Sequence, residues 1–172
     1  MGLSDNRCTC QCLLDGPVEY RIASKSDRSD TMAIAVVGAH LRGFPLNKDL
    51  TCRGALFLQL TKTSANYRLF ALQNTEPRKP GLRRAIAGES GRPIEVEVWR
   101  LPKAQFGEFM DTVKFPLGIG QVELQDHSWI HGFVCEYAAL AGTLDITEFG
   151  GWRAYTNNLT LPASSGAFRT CD

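Results

Sequence analysis

Ala33-Ile34-Ala35-Val36-Val37-Gly38-Ala39-His40-Leu41-Arg42-Gly43 is an apolar run that ends in a glycine, a histidine and an arginine. The part from Ala33 to Val37 is short, rich in β-branched residues and closed by glycine, which predicts a strand buried on both faces rather than a helix. The small residues from Gly38 to Gly43 let the backbone bend sharply and approach a ligand closely. A turn of this kind aims N–H groups at an anion, as phosphate and carboxylate nests do. The same letters also fit an ordinary strand-to-loop turn with a surface histidine. What decides between the two readings is which other residues reach the turn.

The bulk composition narrows the field. A chain of 172 residues, 44% hydrophobic and 22% charged, is expected to form one globular domain with a sizeable core. Nineteen basic against eighteen acidic residues leave a net charge of +1, and no basic run is interleaved with aromatics, so nucleic acid is not an expected partner. No apolar stretch has the length of a membrane span and residues 1–20 lack a signal-peptide pattern, which predicts a cytoplasmic protein with no membrane partner. Cys8, Cys10 and Cys12 cluster while Cys52, Cys135 and Cys171 are scattered, which is not a disulfide framework. The cluster has the wrong spacing for zinc and reads as a reduced polar tail.

Residues 1–31 are polar without sustained apolar period and are expected to be an extension; 32–156 form the organised domain and 157–172 a C-terminal tail. Met32, directly before the first strand, makes the extension a candidate upstream addition to a shorter product. After the opening turn, Phe44-Pro45-Leu46-Asn47 reads as a second turn, followed by strands at about 55–62 and at Tyr67–Leu72. Residues 73–91, rich in Pro, Gly, Lys and Arg, read as a long loop. Ile94-Glu95-Val96-Glu97-Val98-Trp99 alternates cleanly as a strand. Its face of Glu95, Glu97 and Trp99 is either solvated or the wall of a polar cavity, and the rarity of unpaired buried carboxylates favours the solvated reading. Leu101-Pro102-Lys103 opens a helix with Phe106, Phe109, Met110 and Val113 on its packed side, ending before Pro116. Pro116-Leu117-Gly118-Ile119-Gly120 reads as a second glycine turn, and Gln121–Leu124 and Trp129–Glu136 as a hairpin. The sum is a mixed α+β fold of about six strands, a mostly antiparallel sheet or small barrel, with one main packed helix.

No dinucleotide or Walker-type loop and no nucleophile elbow occurs, and His127 and His131 with Asp126 and Glu123 match no familiar metal spacing. No cofactor is called for. What remains is two glycine turns, one with His40 and one at Gly118-Ile119-Gly120, with Tyr67, Lys79 and Arg42 as polar partners, a set that suits a small anion and a moving proton.

Several stretches occur in a telling order: Ala35-Val36-Val37-Gly38-Ala39-His40-Leu41 with Pro45-Leu46-Asn47, Arg53-Gly54-Ala55, Tyr67-Arg68-Leu69, Lys79-Pro80-Gly81-Leu82, Ile94–Trp99, Pro116–Gly120 and Gly150-Gly151-Trp152-Arg153-Ala154-Tyr155. Together they resemble the C-terminal domain of allophanate hydrolases. The resemblance implies a γ-glutamylcyclotransferase-like fold, a small twisted barrel with a helix packed on it. In cyclotransferases a glutamate soon after a helix is the acid/base; here Phe115-Pro116-Leu117-Gly118 occupies that place, which argues against turnover of a γ-glutamyl amine. In allophanate hydrolases an amidase domain yields N-carboxycarbamate and the C-terminal domain is thought to speed its loss of carbon dioxide. The resemblance therefore implies a small anionic dicarboxylate as ligand, a separate amidase subunit as partner since no amidase region is present, and a homodimer as a further option. It implies His40 as catalytic proton donor and Gly38, Ala39, Leu41, Tyr67, Lys79, Gly118, Ile119, Gly120 and Arg153 as the substrate-binding set. A non-catalytic module that binds or assembles with an amidase is the competing expectation.

Overall fold

In the computed structural model, which describes residues 30–160, the chain forms strands β1 (Thr31–Val36), β2 (Leu56–Lys62), β3 (Tyr67–Ala71), β4 (Pro80–Arg84), β5 (Glu95–Pro102), β6 (Leu117–Glu123), β7 (Trp129–Cys135) and β8 (Leu144–Asp145). The helices are α1 (Asn47–Thr51), α2 (Phe106–Asp111) and α3 (Trp152–Thr160). The N-terminal cysteine cluster lies outside the described residues. None of the described helices is long and apolar enough to cross a membrane.

The opening run is the middle of the larger sheet, whose order is β2-β5-β1-β7-β6; β4-β3-β8 make a smaller antiparallel sheet. Ile34, Ala35, Val36 and Val37 are buried in succession, so both faces of this strand are covered, as its unbroken apolar run predicts. β1 is antiparallel to β5 and parallel to β7, with Ile34 opposite His131 and Ala35 opposite Gly132. That parallel pairing runs the end of β7 alongside the end of β1, where the glycine turn begins. Trp99, Leu101, Ile34, Leu69, Phe109 and Trp152 share one buried cluster, which joins both sheets to α2 and α3.

The α+β reading holds, but the barrel is open. The outer strands β2 and β6 meet only past their ends, through an isolated bridge between Thr63 and Leu124, so no continuous ladder closes the sheet. The helix expected from Leu101 is shorter. Leu101 and Pro102 belong to β5, paired with Met32 and Thr31, and a 3-10 turn at Lys103–Gln105 precedes α2.

Part of the expected loop is β4, which pairs along the whole of β3. Proline is tolerated as the first residue of a strand. Gly81 is there because a Cβ would lie 2.9 Å from Cys135 Sγ. Gly118-Ile119-Gly120 is not a turn but the body of β6, in register with Val134, Phe133 and Gly132. Glu136 N–H donates to Pro116 O and Leu124 N–H to Ser128 O, and antiparallel alternation from those bonds commits the N–H groups of Gly118 and Gly120 to β7.

Gly38 sits where a Cβ would be 2.3 Å from Pro80 Cδ, so β4 presses directly on the opening turn. Gly107, exposed in α2, has open space around its Cβ position. Gly38→Ala is expected to cost about 1–3 kcal/mol in urea unfolding, and Gly107→Ala to gain about 0.5–1 kcal/mol. Equal effects at the two sites would show that the contact between Gly38 and Pro80 does not constrain the fold.

Candidate functional site

Beyond β1 the chain folds back through short local bonds: Leu41 N–H donates to Gly38 O at 2.9 Å and Leu46 N–H to Ala39 O at 2.8 Å. Asn47, at the start of α1, donates its side-chain amide to His40 O at 2.8 Å. The histidine is therefore held at its main chain by a helix that begins after six further residues of loop. Its ring is held by aromatics from elsewhere: it stacks on Phe133 of β7 at 4.9 Å between centroids, and meets the edge of Phe109 of α2 at 5.5 Å.

A cleft of about 460 Å³, including its open mouth, lies beside this ring. Gly38, Ala39, His40 and Lys79 all line it, so the structure brings these four expected site residues together. Asp49, Thr112, Val113, Lys114, Leu117 and Phe133 complete the wall with the apolar Val37, Leu46 and Pro80. The charged side chains of the lining are two lysines, Lys79 and Lys114, and a single carboxylate, Asp49; the Lys114 ammonium also donates to Asp111 O at 2.7 Å. The lining thus favours a small anion over a neutral or cationic ligand.

His40 is buried to 13% side-chain exposure, and its Nε2 atom has no hydrogen-bond partner. Asp49 Oδ2 lies 3.8 Å from that atom. Burial first, then the positive charges of Lys79 and Arg53, push the imidazole down to about 4, so the ring is neutral in the resting protein near pH 7.

The remaining expected residues are engaged elsewhere. Leu41 is fully buried in the core and its N–H closes the local turn. Tyr67 is buried, and its hydroxyl oxygen accepts from Glu123 N–H at 2.8 Å. Gly118, Ile119 and Gly120 run along the outer strand of the sheet, outside the cleft wall. Arg153 donates to Glu97 Oε1 at 3.1 Å and to Arg42 O at 3.0 Å and does not line the cleft. Glu97 is fully buried and also accepts from Arg42 N–H, Arg42 Nε and Trp99 Nε1 at 3.0, 3.0 and 3.2 Å. For Glu97 the solvated-face reading of the strand is thus overturned: the arginines supply the pairing that makes its burial tolerable.

The sequence reading passed over Asn47, Asp49, Thr112 and Lys114. Asn47 lay in a quoted motif but was read as a turn, and α1 has only five residues over which to show a period. Thr112 and Lys114 follow directly after α2, where the chain must leave the helix before Pro116. Among the described residues no group of three His, Cys, Asp or Glu side chains gathers as a metal site.

Residues 32–157 match the family of the allophanate hydrolase C-terminal domain. The chain belongs to this family. A urea amidolyase of Lachancea kluyveri is 47% identical over 153 residues, covering 83% of this chain and 8% of its own length. The urea amidolyase of Saccharomyces cerevisiae is 49% identical over 132 residues, covering 75% and 7%. The chain therefore spans less than a tenth of the curated relatives it matches. Among solved structures, selenomethionine-substituted Kluyveromyces lactis allophanate hydrolase superposes with a TM-score of 0.74 at 43% identity, covering 80% of this chain and 22% of that one. The uropathogenic E. coli-specific protein c4763 superposes with a TM-score of 0.68 at 35% identity, covering 74% of this chain and 96% of that one. Chains similar to this one thus include both far longer proteins and one of about the size of the matched region.

The depressed proton affinity of His40 makes a stability prediction. With a folded value of about 4 against an ordinary 6.5, the unfolded chain binds the proton and the folded one does not within that window. The contribution is fully present above pH 6.5 and is lost as pH falls towards 4, a change of about 3 kcal/mol. Unfolding free energies of the protein and of His40→Gln, compared across that window, are expected to diverge at neutral pH and converge in acid. A parallel pH dependence would show that His40 is not buried as a neutral ring.

Proposed function

We propose that this domain binds a small dicarboxylate such as N-carboxycarbamate in the His40 cleft and promotes its decarboxylation in urea or allophanate breakdown. One observation carries this reading: a buried imidazole with an unpartnered nitrogen borders a cleft whose lysines outnumber its carboxylate. N-carboxycarbamate holds two carboxylates on one nitrogen. Its decarboxylation breaks one C–N bond, leaves the electron pair on nitrogen and consumes one proton, giving carbamate and carbon dioxide. Lys79 and Lys114 offset the charge of the dianion as it binds. The bound dianion opposes the positive field of Lys79 and Arg53 and raises the proton affinity of His40. The ring takes up a proton with the ligand and delivers it to nitrogen as the bond breaks. A placed general acid contributes roughly 10²–10⁴-fold. The urea or allophanate setting draws support from relatives named urea amidolyase and allophanate hydrolase.

The great length of those relatives favours one second reading, a binding or assembly module working beside a separate amidase. A γ-glutamyl amine as substrate has the least support, since Phe115-Pro116-Leu117-Gly118 stands where a glutamate would follow the helix.

Malonate, a stable dianion of similar shape, tests the proposal. At about 100 times its dissociation constant it should add about 2.7 kcal/mol, a melting-temperature rise of several degrees. His40→Ala and Lys79→Ala are each expected to reduce this shift, and His40→Ala to lower turnover by roughly 10²–10⁴-fold with the fold intact. Absence of any shift in the unaltered protein, together with a stable complex with an amidase, would replace the decarboxylase reading with the assembly reading.

A further inference from the structure

We infer that Asp49 is a positioning residue for His40: its carboxylate closes onto Nε2 when the cleft is filled, leaving Nδ1 as the atom that hands the proton to the ligand. This rests on the reading of the cleft as a site for a small dianion. The argument begins with two unsatisfied groups side by side. His40 Nε2 is buried without a hydrogen-bond partner. The carboxylate of Asp49 has no other ion-pair partner within reach among the described residues, and its Oδ2 stands 3.8 Å from that nitrogen. The gap is about 1 Å longer than a charge-assisted hydrogen bond, which a side-chain rotation covers.

The frame that would hold this pair already exists. Asn47 and Asp49 both belong to α1; the first binds the main-chain carbonyl of His40 and the second faces its ring. The carbonyl of Asp49 accepts from Arg53 at 2.8 Å, which pins the far end of the helix. Phe133 and Phe109 fix the plane of the imidazole, so it cannot swing away from α1. Nδ1 has no hydrogen-bond partner among the described residues and, unlike Nε2, is not sealed from solvent, so Nδ1 is the ring's open nitrogen.

The charged groups near the ring are Asp49 from α1, Arg53 just beyond it and Lys79 before β4, with Lys114 after α2 on the cleft wall. Three of these are cations. Without Asp49 nothing negative in the protein would face an imidazolium, and the ligand would have to supply all of the compensation. With Asp49 the neutral ring carries its proton on Nε2, directed at the carboxylate. A second proton, taken from water as the dianion binds, adds to Nδ1. That proton passes to the ligand nitrogen as the C–N bond breaks, and the ring returns to the neutral Nε2–H form. A carboxylate that holds one ring nitrogen thereby sets the tautomer and steadies the charged intermediate, the role of the aspartate in hydrolase triads.

The test compares the full chain with Asp49→Asn, a substitution of equal size on a half-buried helix, by ¹⁵N NMR of the His40 ring with and without malonate. In the ligand-free protein the neutral ring is expected as the Nε2–H form, shifting towards Nδ1–H in Asp49→Asn, whose uncharged amide is a weaker acceptor for Nε2–H and can also donate to a bare Nε2. With malonate, the proton affinity of His40 is expected to rise in both, by about tenfold less in the variant. Decarboxylation should fall by at least about tenfold while malonate affinity stays within a few-fold. An Nδ1–H ring in the unaltered protein, or the same tautomer and titration in both proteins, would overturn the role of Asp49. If malonate fails to bind while the tautomer difference holds, the dianion reading falls and the pairing of Asp49 with His40 stands.

Discussion

A carboxylate buried in the middle of a sheet organises this molecule. Glu97 lies on β5, between β1 and β2, with no exposed surface. An ionised carboxylate in that place is tolerable only when paired and hydrogen-bonded on both oxygens. Arg42 and Arg153 supply the pairing, and Trp99 Nε1 and the N–H of Arg42 complete the acceptor sites. Arg153 also holds Arg42 O, so both backbone polar groups of the residue two beyond His40 are fixed by side chains. The requirement to neutralise one buried charge thus joins β5, the glycine turn and α3 into a single unit, through residues that do not line the cleft.

The same constraint explains why Arg42 and Arg153 are not cleft cations. A guanidinium already bonded to a buried carboxylate would have to abandon it to reach a ligand, at a cost of several kcal/mol. The cleft takes its cations from flexible lysines instead. Lys79 and Lys114 sit on connections, before β4 and after α2, where a side chain adjusts to a ligand without disturbing the sheet.

Some of this was readable from the residues and some was not. β1 and β5 were plain as strands because an unbroken apolar run and a strict alternation are both strand patterns, although the alternation hid that β5 is buried on both faces. β4 was hidden: Pro80 and Gly81 look like a turn, and the reason for Gly81, its contact with Cys135, exists only in three dimensions. The glycines of β6 misled in the same way, since Gly120 is small to clear Val134 rather than to bend the chain. His40 was legible from its place after a buried strand. Tyr67 and Arg153 looked equally available, but Glu123 N–H and Glu97 occupy them, and both partners lie more than fifty residues away in sequence. Asp49 and Lys114 belong to segments too short to show a pattern.

The electrostatics of the cleft give the site an order of events. A permanently charged imidazolium at His40 would sit among Lys79, Lys114 and Arg53 with only Asp49 to balance it, and would be partly desolvated by Phe109 and Phe133. The resting ring is therefore neutral, and it cannot act as a strong acid on whatever drifts past. A monoanion cancels about one lysine and leaves the field at the ring positive; a dianion can cancel both and bring the ring's proton affinity up to where transfer is useful. Selectivity for two charges and activation of the acid would then have one cause, so a ligand that lacks the second carboxylate would be bound more weakly and would also leave the histidine unarmed.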